Sequence, residues 1–210
     1  MTVIETLRVG MGTNCYILNN ESKNDAVVID PGAQGRKIAR ALSNRGLDLK
    51  AIFLTHGHYD HISGLRNLLE SPSVTPDIFI SSCEMNFTDF PFNPNLLQGY
   101  KLNYWDNDCC LKIADMKFDI IHTPGHSPGS VCIINDDLMF TGDLLFRGTV
   151  GRVDFIGGDA LKMEKSLQRI VKYPKTTRIY PGHEEFSTLQ SELDTNTYLK
   201  SAIRGNVNGD

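Results

Sequence analysis

Four potential metal ligands fall within seven residues at Thr55-His56-Gly57-His58-Tyr59-Asp60-His61, directly after the apolar run Ala51-Ile52-Phe53-Leu54. The chain holds six histidines, and three of them lie in this window. His126 and His183 follow other strand-like runs, each inside a Pro-Gly-His tripeptide, and Asp143 follows a further one in Thr141-Gly142-Asp143. Five histidines and two aspartates, each placed just past a buried strand, describe a binuclear metal site. That pattern points to a metal-dependent enzyme, and first to a hydrolase.

The donor types narrow the metal. Imidazole and carboxylate favour zinc or another borderline divalent ion, with iron or manganese as alternatives, over calcium or magnesium. In His56-x-His58, alternate residues of an extended loop can face one ion, while Asp60 and His61 face a second from a turn that opens a helix. Seven ligands shared between two ions leave open coordination positions, which a catalytic site needs. Ions roughly 3.5–4 Å apart can hold a hydroxide between them and polarise a substrate oxygen. A structural zinc fits less well, because structural sites lean on cysteine and close at four ligands. His122, the remaining histidine, reads as a surface or satisfied core residue.

Strand and helix periodicities alternate along the chain. Strands are expected at Asn14 to Leu18, Ala26 to Ile29, Ala51 to Leu54, Lys117 to His122, Ser130 to Ile134, Leu138 to Phe140 and Arg178 to Tyr180. Helical spacing runs through Ile38, Ala39, Leu42 and Arg45 with Gly46 as the stop, and through Ile62, Leu65, Leu68 and Leu69 to an end near Pro72. It returns at Met163, Leu167, Ile170 and Val171 behind an Asp159 N-cap, and a last helix is expected near Ser187 with Gln190 completing a capping box. Val74 to Leu111 is the least regular stretch; it should cross between the two halves and form part of a pocket wall. No repeat or linker is visible, so the expectation is one domain over 1–210, an α/β sandwich with helices outside two sheets.

Composition excludes several classes. A formal net charge of −4, with Lys and Arg scattered, leaves no general nucleic-acid footprint. The first eight residues lack the apolar core of a signal peptide, and no apolar run approaches membrane-spanning length. Five dispersed cysteines suit reduced thiols in the cytoplasm better than a disulfide framework. Cys109-Cys110 is a vicinal pair without Cys-x-x-Cys spacing, which argues against a redox role.

Taken in order, Val28-Ile29-Asp30-Pro31-Gly32, Thr55 to His61, Thr123-Pro124-Gly125-His126-Ser127-Pro128-Gly129, Thr141-Gly142-Asp143 and Tyr180-Pro181-Gly182-His183 resemble the metallo-β-lactamase fold hydrolases. The resemblance runs through nearly the whole chain and implies an αββα four-layer sandwich with its metals at one edge. It implies that His56, His58 and His126 hold the first metal, that Asp60, His61 and His183 hold the second, and that Asp143 bridges. Asp30 matches an aspartate that supports the ligands by hydrogen bonding, a role expected on physical grounds. Within that superfamily, Phe140 to Phe146 and Gly151-Arg152-Val153-Asp154-Phe155 are most similar to the short bacterial branch of the glyoxalase II (hydroxyacylglutathione hydrolase) group. That likeness implies cleavage of a thioester such as S-lactoylglutathione by a metal-bridging hydroxide, with Asp60 orienting the nucleophile and Arg152 a candidate for a substrate carboxylate.

Two departures bear on the substrate. After His183 the sequence offers one short helix and a polar tail, Gly205 to Asp210, where longer relatives carry a helical region that grips glutathione; their aromatic and lysine contacts are not recognisable here. The runner-up is a persulfide dioxygenase on the same fold, with a single iron at positions corresponding to His56, His126 and Asp143. A class B β-lactamase, a nucleic-acid processing member, a flavin-linked oxygen reductase and a metal-binding scaffold without turnover fit the residues less well. The expected partner is a small molecule, not a nucleic acid or a membrane.

Overall fold

The computed structural model describes residues 2–70 and 75–204. The first sheet is built from β1 (Thr2–Val9), β2 (Thr13–Asn20), β3 (Asp25–Ile29), β4 (Asp48–Phe53), β5 (Asp77–Ile80) and β6 (Leu102–Tyr104), lying in sequence order. Its first three strands run antiparallel and the rest pair in parallel. In the second sheet β7 (Cys109–Ile113), β8 (Met116–His122), β9 (Val131–Asn135) and β10 (Leu138–Gly142) form a meander. A short ribbon, β11 (Leu145–Phe146) with β12 (Thr149–Val150), precedes β13 (Arg178–Pro181), which pairs parallel to β10 and carries β14 (Ser187–Thr188) on its edge.

Period-two alternation assigns each strand residue to a layer. In β2, Tyr16 and Leu18 face the second sheet, while Cys15 and Ile17 face the helices. Both faces are covered, so β2 is buried almost throughout. The inter-sheet core joins Val27, Ile29 and Phe53 to Phe118, Ile133 and Phe140. Phe53 anchors it, with edge-on ring contacts to Phe79, Trp105 and Phe118 at 5.4, 5.3 and 5.0 Å. Burying one such side chain contributes about 1.5–3 kcal/mol.

Helices α1 (Gly35–Asn44), α2 (Tyr59–Ile62) and α3 (Leu65–Leu69) lie against the first sheet, placing Ile38, Leu42, Ile62, Leu65 and Leu68 over Ile17, Val28 and Ile52. Helices α4 (Ala160–Ile170), α5 (Leu189–Thr195) and α6 (Thr197–Arg204) cover the second, with Met163, Leu167, Ile170 and Leu199 over Cys132, Ile134 and Ile179. The result is helix, sheet, sheet, helix, the metallo-β-lactamase fold.

Several local expectations meet their structural counterparts. Gly46, at φ +61°, ends α1 with Leu47 N donating to Leu42 O. Asp159 caps α4 by accepting from Leu161 N and Lys162 N. Others need correction. The helix expected through Ile62 to Leu69 breaks at Ser63-Gly64, where a Cβ on Gly64 would sit 2.6 Å from Pro31 O; its end near Pro72 lies outside the described residues. At the last helix Thr188, not Ser187, is the cap, accepting from Ser191 N, and Gln190 bonds Asp194 instead of completing a box. Two helices follow His183, not one, because Asn196 Oδ1 accepts from Tyr198 N and Leu199 N and restarts the chain as α6; the tail after Arg204 lies outside the described residues. The irregular stretch before Leu111 contributes β5 and β6 to the first sheet before crossing to the second.

Candidate metal centre

Each candidate ligand sits where a strand of one sheet or the other ends. β4 leads into His56, His58, Asp60 and His61, β8 into His126, β10 into Asp143, and β13 into His183. The structure brings all seven together. Donor atoms of His56, His58 and His126 lie within 4.8 Å of one another, as do those of His56, His61 and Asp143, and those of Asp60, His61 and His183. His126 Nε2 approaches His58 Nδ1 to 2.9 Å, His183 Nε2 lies 3.0 Å from Asp60 Oδ2, and Asp143 carboxylate oxygens stand 3.4 Å from both His61 Nε2 and His126 Nε2. Asp143 therefore lies between the two histidine groups.

The backing hydrogen bonds fix which ring nitrogens face inward. His126 Nδ1 donates to Arg152 O at 2.7 Å and His61 Nδ1 to Asp30 Oδ2 at 2.9 Å, so in both rings Nε2 is left as the lone-pair atom. Thr55 Oγ1 donates to Asp30 Oδ2 at 2.7 Å and stands 3.0 Å from His56 Nδ1, which sets His56 the same way. Asp30 also accepts from Thr55 N at 2.8 Å, so one buried carboxylate holds two of the candidate ligands in orientation. Asp60 Oδ2 accepts from Thr13 Oγ1 at 3.2 Å.

Three buried atoms in this cluster, His56 Nε2, His58 Nε2 and Asp143 Oδ1, have no hydrogen-bond partner among the described residues. A buried polar atom without a partner costs about 1–3 kcal/mol, and three such atoms in these overlapping ligand groups fit bound cations. The electrostatics agree. Burial and the neighbouring histidines hold His56 far below its ordinary pKa, and burial with His126 and His61 takes His58 to about 3. Burial also pushes Asp60 and Asp143 upward, but His183 and His61 outweigh it and keep both carboxyls ionised. His56 and His58 are thus neutral beside ionised carboxylates, while against burial Asp143 raises His61 and Asp60 raises His183; a divalent ion held there would displace those two protons.

Close approach explains the glycine before His183. A Cβ on Gly182 would stand 2.3 Å from Asp143 Oδ1 and 2.7 Å from His61 Cε1, so any side chain there would enter the cluster.

The cluster forms the floor of a cavity of about 420 Å³. Its walls take Phe90 and Pro91 from the stretch expected to form part of a pocket wall, and Phe146 and Phe155 from the two stretches that carried the glyoxalase II likeness. Met11 from the β1–β2 turn and Val150 were not singled out, because an isolated apolar residue in a turn or short ribbon carries no periodic signal. Glu84 was missed as well. Fully buried beneath the cluster, it accepts from Gly57 N at 2.7 Å, Ser127 Oγ at 2.7 Å and Gly129 N at 2.5 Å, tying the His56–His58 loop to the His126 loop. Burial raises its pKa against the pull of these donors. Arg152 lies on the cavity rim, but both its Nε and Nη2 bond Asp154, each at 2.6 Å, and its guanidinium covers the Phe155 ring at 4.0 Å. His122 is apart from the site, with Nε2 on Trp105 O. Cys109 and Cys110 lie on β7 with both thiols raised, Cys109 by burial and Cys110 by its contact with Asp119.

Comparison with known proteins places this arrangement. The hydroxyacylglutathione hydrolase GloC of Haemophilus influenzae is 31% identical over 201 residues, covering 90% of this chain and 93% of the relative. The crystal structure of BLEG-1 B3 metallo-beta-lactamase superposes with a TM-score of 0.83 at 30% identity, covering 94% and 99% of the two chains. That of TTHA1623 in a di-iron-bound form gives 0.80 at 29% identity over 92% and 99%. Residues 8–99 and 113–183 match the Metallo-beta-lactamase superfamily, whose members bind divalent metals, and the chain belongs to that superfamily.

Proposed function

We propose that the chain is a single-domain, metal-dependent hydrolase that cleaves a hydroxyacyl thioester of a low-molecular-weight thiol. One observation carries this reading: seven ligand-type side chains converge, three of their buried atoms unpartnered, on the floor of a cavity sized for a small molecule. The likeness to GloC supports the thioester. In this proposal His56, His58 and His126 hold one ion, Asp60, His61 and His183 the other, and Asp143 serves both. Zinc is the first choice for such donors, with iron or manganese as alternatives. Two divalent ions bound there would supply a water-derived nucleophile at neutral pH and Lewis-acid polarisation of the acyl carbonyl.

The chain's own groups do the rest. Asp30 and Arg152 O fix His61 and His126 in the tautomers that present Nε2. Asp60, held anionic beside His183, is placed to accept a hydrogen bond from the attacking water and orient it. No strong general acid is required, because a thiol pKa near ~8.5 makes the thiolate a fair leaving group. The formal charge of −4 and the size of the cavity, about 420 Å³, favour a small substrate over a nucleic acid. Five free thiols support a reducing, cytoplasmic setting, and no helix among the described residues is long and apolar enough to cross a membrane.

Elemental analysis of protein purified without added metal or chelator tests the reading. About two ions per chain, with turnover of a thioester panel, is the expected result. About one iron, with no second ion taken up on titration, would replace it with the persulfide dioxygenase. The likeness to BLEG-1 makes a β-lactam the competing acyl substrate, so a chromogenic cephalosporin belongs in the panel. An Asp60→Asn variant loaded with both ions should lose turnover; full turnover with both ions retained would remove the orienting role.

A further inference from the structure

We infer that the mouth of this cavity selects an uncharged, apolar group on the substrate and rejects an anionic carrier such as glutathione, with Asp154 enforcing the choice. The inference rests on the preceding reading only in taking the cavity as the substrate site.

Aromatic rings line the way from rim to floor. Phe90, 73% exposed at the rim, meets Phe155 edge-on at 6.1 Å, and Phe155 meets His58 at 6.0 Å. On the opposite wall Phe146 stands edge-on to His183 at 6.1 Å. Met11, 69% exposed, also lines the cavity. Exposed apolar side chains gathered around a cavity, and not scattered singly, mark a binding surface for an apolar group.

Acidic groups outnumber basic ones on these walls: Asp60, Asp143 and Glu184 line the cavity, against one arginine, Arg152, and no lysine. Glutathione carries two carboxylates and one ammonium, so its thioesters arrive with net negative charge and need a free cation at the rim. Arg152 is not free. Its fork faces the Asp154 carboxylate in two parallel hydrogen bonds, while its flat face lies on Phe155. Arg152 and Asp154 are more than half exposed, so Asp154 balances the guanidinium charge only in part, while Phe155 covers its flat face. Cations bound at the floor would act on the acyl carbonyl; the carrier's carboxylates would meet Glu184 and the Arg152–Asp154 pair.

The test measures binding to the metal-loaded protein by calorimetry, using two non-hydrolysable thioethers that share a benzyl group. S-benzyl-N-acetylcysteamine is neutral and S-benzylglutathione is anionic. The neutral ether should bind about tenfold or more tightly than the anionic one, with an affinity indifferent to salt. Phe90→Ala and Phe155→Ala should each weaken the neutral ether by about three- to tenfold, within the range of aromatic contacts. Asp154→Asn should narrow the ratio of the two affinities about fivefold by releasing Arg152, most clearly at low salt. Tighter binding of S-benzylglutathione to the native protein, an unchanged ratio in Asp154→Asn, or binding of neither ether would overturn the inference. Matching thioesters assayed in parallel separate the two readings. Preferred binding of the neutral ether without any thioester turnover would sink the thioesterase and leave the selectivity standing. Efficient S-lactoylglutathione turnover with preferred binding of S-benzylglutathione would do the reverse.

Discussion

Glu84→Gln changes one atom's chemistry and almost no volume, which makes it a clean probe of how the two ligand loops are held. Glu84 Oε1 accepts from Ser127 Oγ and Gly129 N, and Oε2 accepts from Gly57 N. An amide has one acceptor oxygen. With that oxygen in the Oε1 position, the NH2 group must face the Gly57 N–H, donor against donor, at a buried position. One charge-assisted hydrogen bond is lost, at about 1.5–3 kcal/mol, and a buried N–H is left unsatisfied at a cost in the same range. These overlap, because both describe the Gly57 N–H, so the expected loss is about 2–4 kcal/mol. In a chain of this size that corresponds to a melting temperature lower by about 4–16 °C. Glu84 is packed closely on both loops: a Cβ on Gly57 would stand 2.9 Å from Glu84 Cβ, and one on Gly129 2.7 Å from Oε1. Thermal melts should be run on chelator-treated protein, so that the clamp is measured and not the metal. A loss below about 0.5 kcal/mol, the level of an ordinary surface substitution, would refute the view that Glu84 holds the loops together.

Asp30→Asn should lower metal affinity by about 10–100-fold, because an amide cannot accept from Thr55 N, Thr55 Oγ1 and His61 Nδ1 together; chelator competition measures it, and an unchanged affinity would show that these bonds do not orient the ligands. The thiols give a pH prediction. Only a thiolate reacts, and Asp119 beside the exposed Cys110 raises its pKa, so its alkylation should be slow near neutral pH and accelerate as pH rises toward that pKa. Cys132, pushed up to about 12 by burial, and Cys15, raised by burial and then by Asp30, should react only after unfolding. Mass spectrometry of alkylated native and urea-treated protein checks this, and rapid native modification of Cys15 would contradict its packing beneath α1.

Legibility in the sequence followed the range of the interactions. Ligand types at fixed spacing are local, so the window from His56 to His61 and the two Pro-Gly-His tripeptides were visible without coordinates. Caps made by neighbours behaved the same way, as Asp159 and Gly46 show. Expectations failed where a distant residue decided the outcome. Pro31 breaks the helix at Gly64, and the carbonyls of Phe146 and Thr149 join Glu192 in holding Asn196 between α5 and α6. Glu84 lies in the stretch with no periodic signal, and its partners are Gly57, Ser127 and Gly129, up to 45 residues away.

By itself the sequence determined the chemistry available to this protein, because histidine and aspartate carry their ligand character wherever they are placed and strand periodicity carries them to the ends of a sheet. Tertiary structure decided which of those groups meet and that Asp143 stands between two sets of histidines. It also decided that scattered phenylalanines become one wall. Those outcomes depend on distances of a few ångströms between residues far apart in the chain, and such distances exist only once the two sheets have packed.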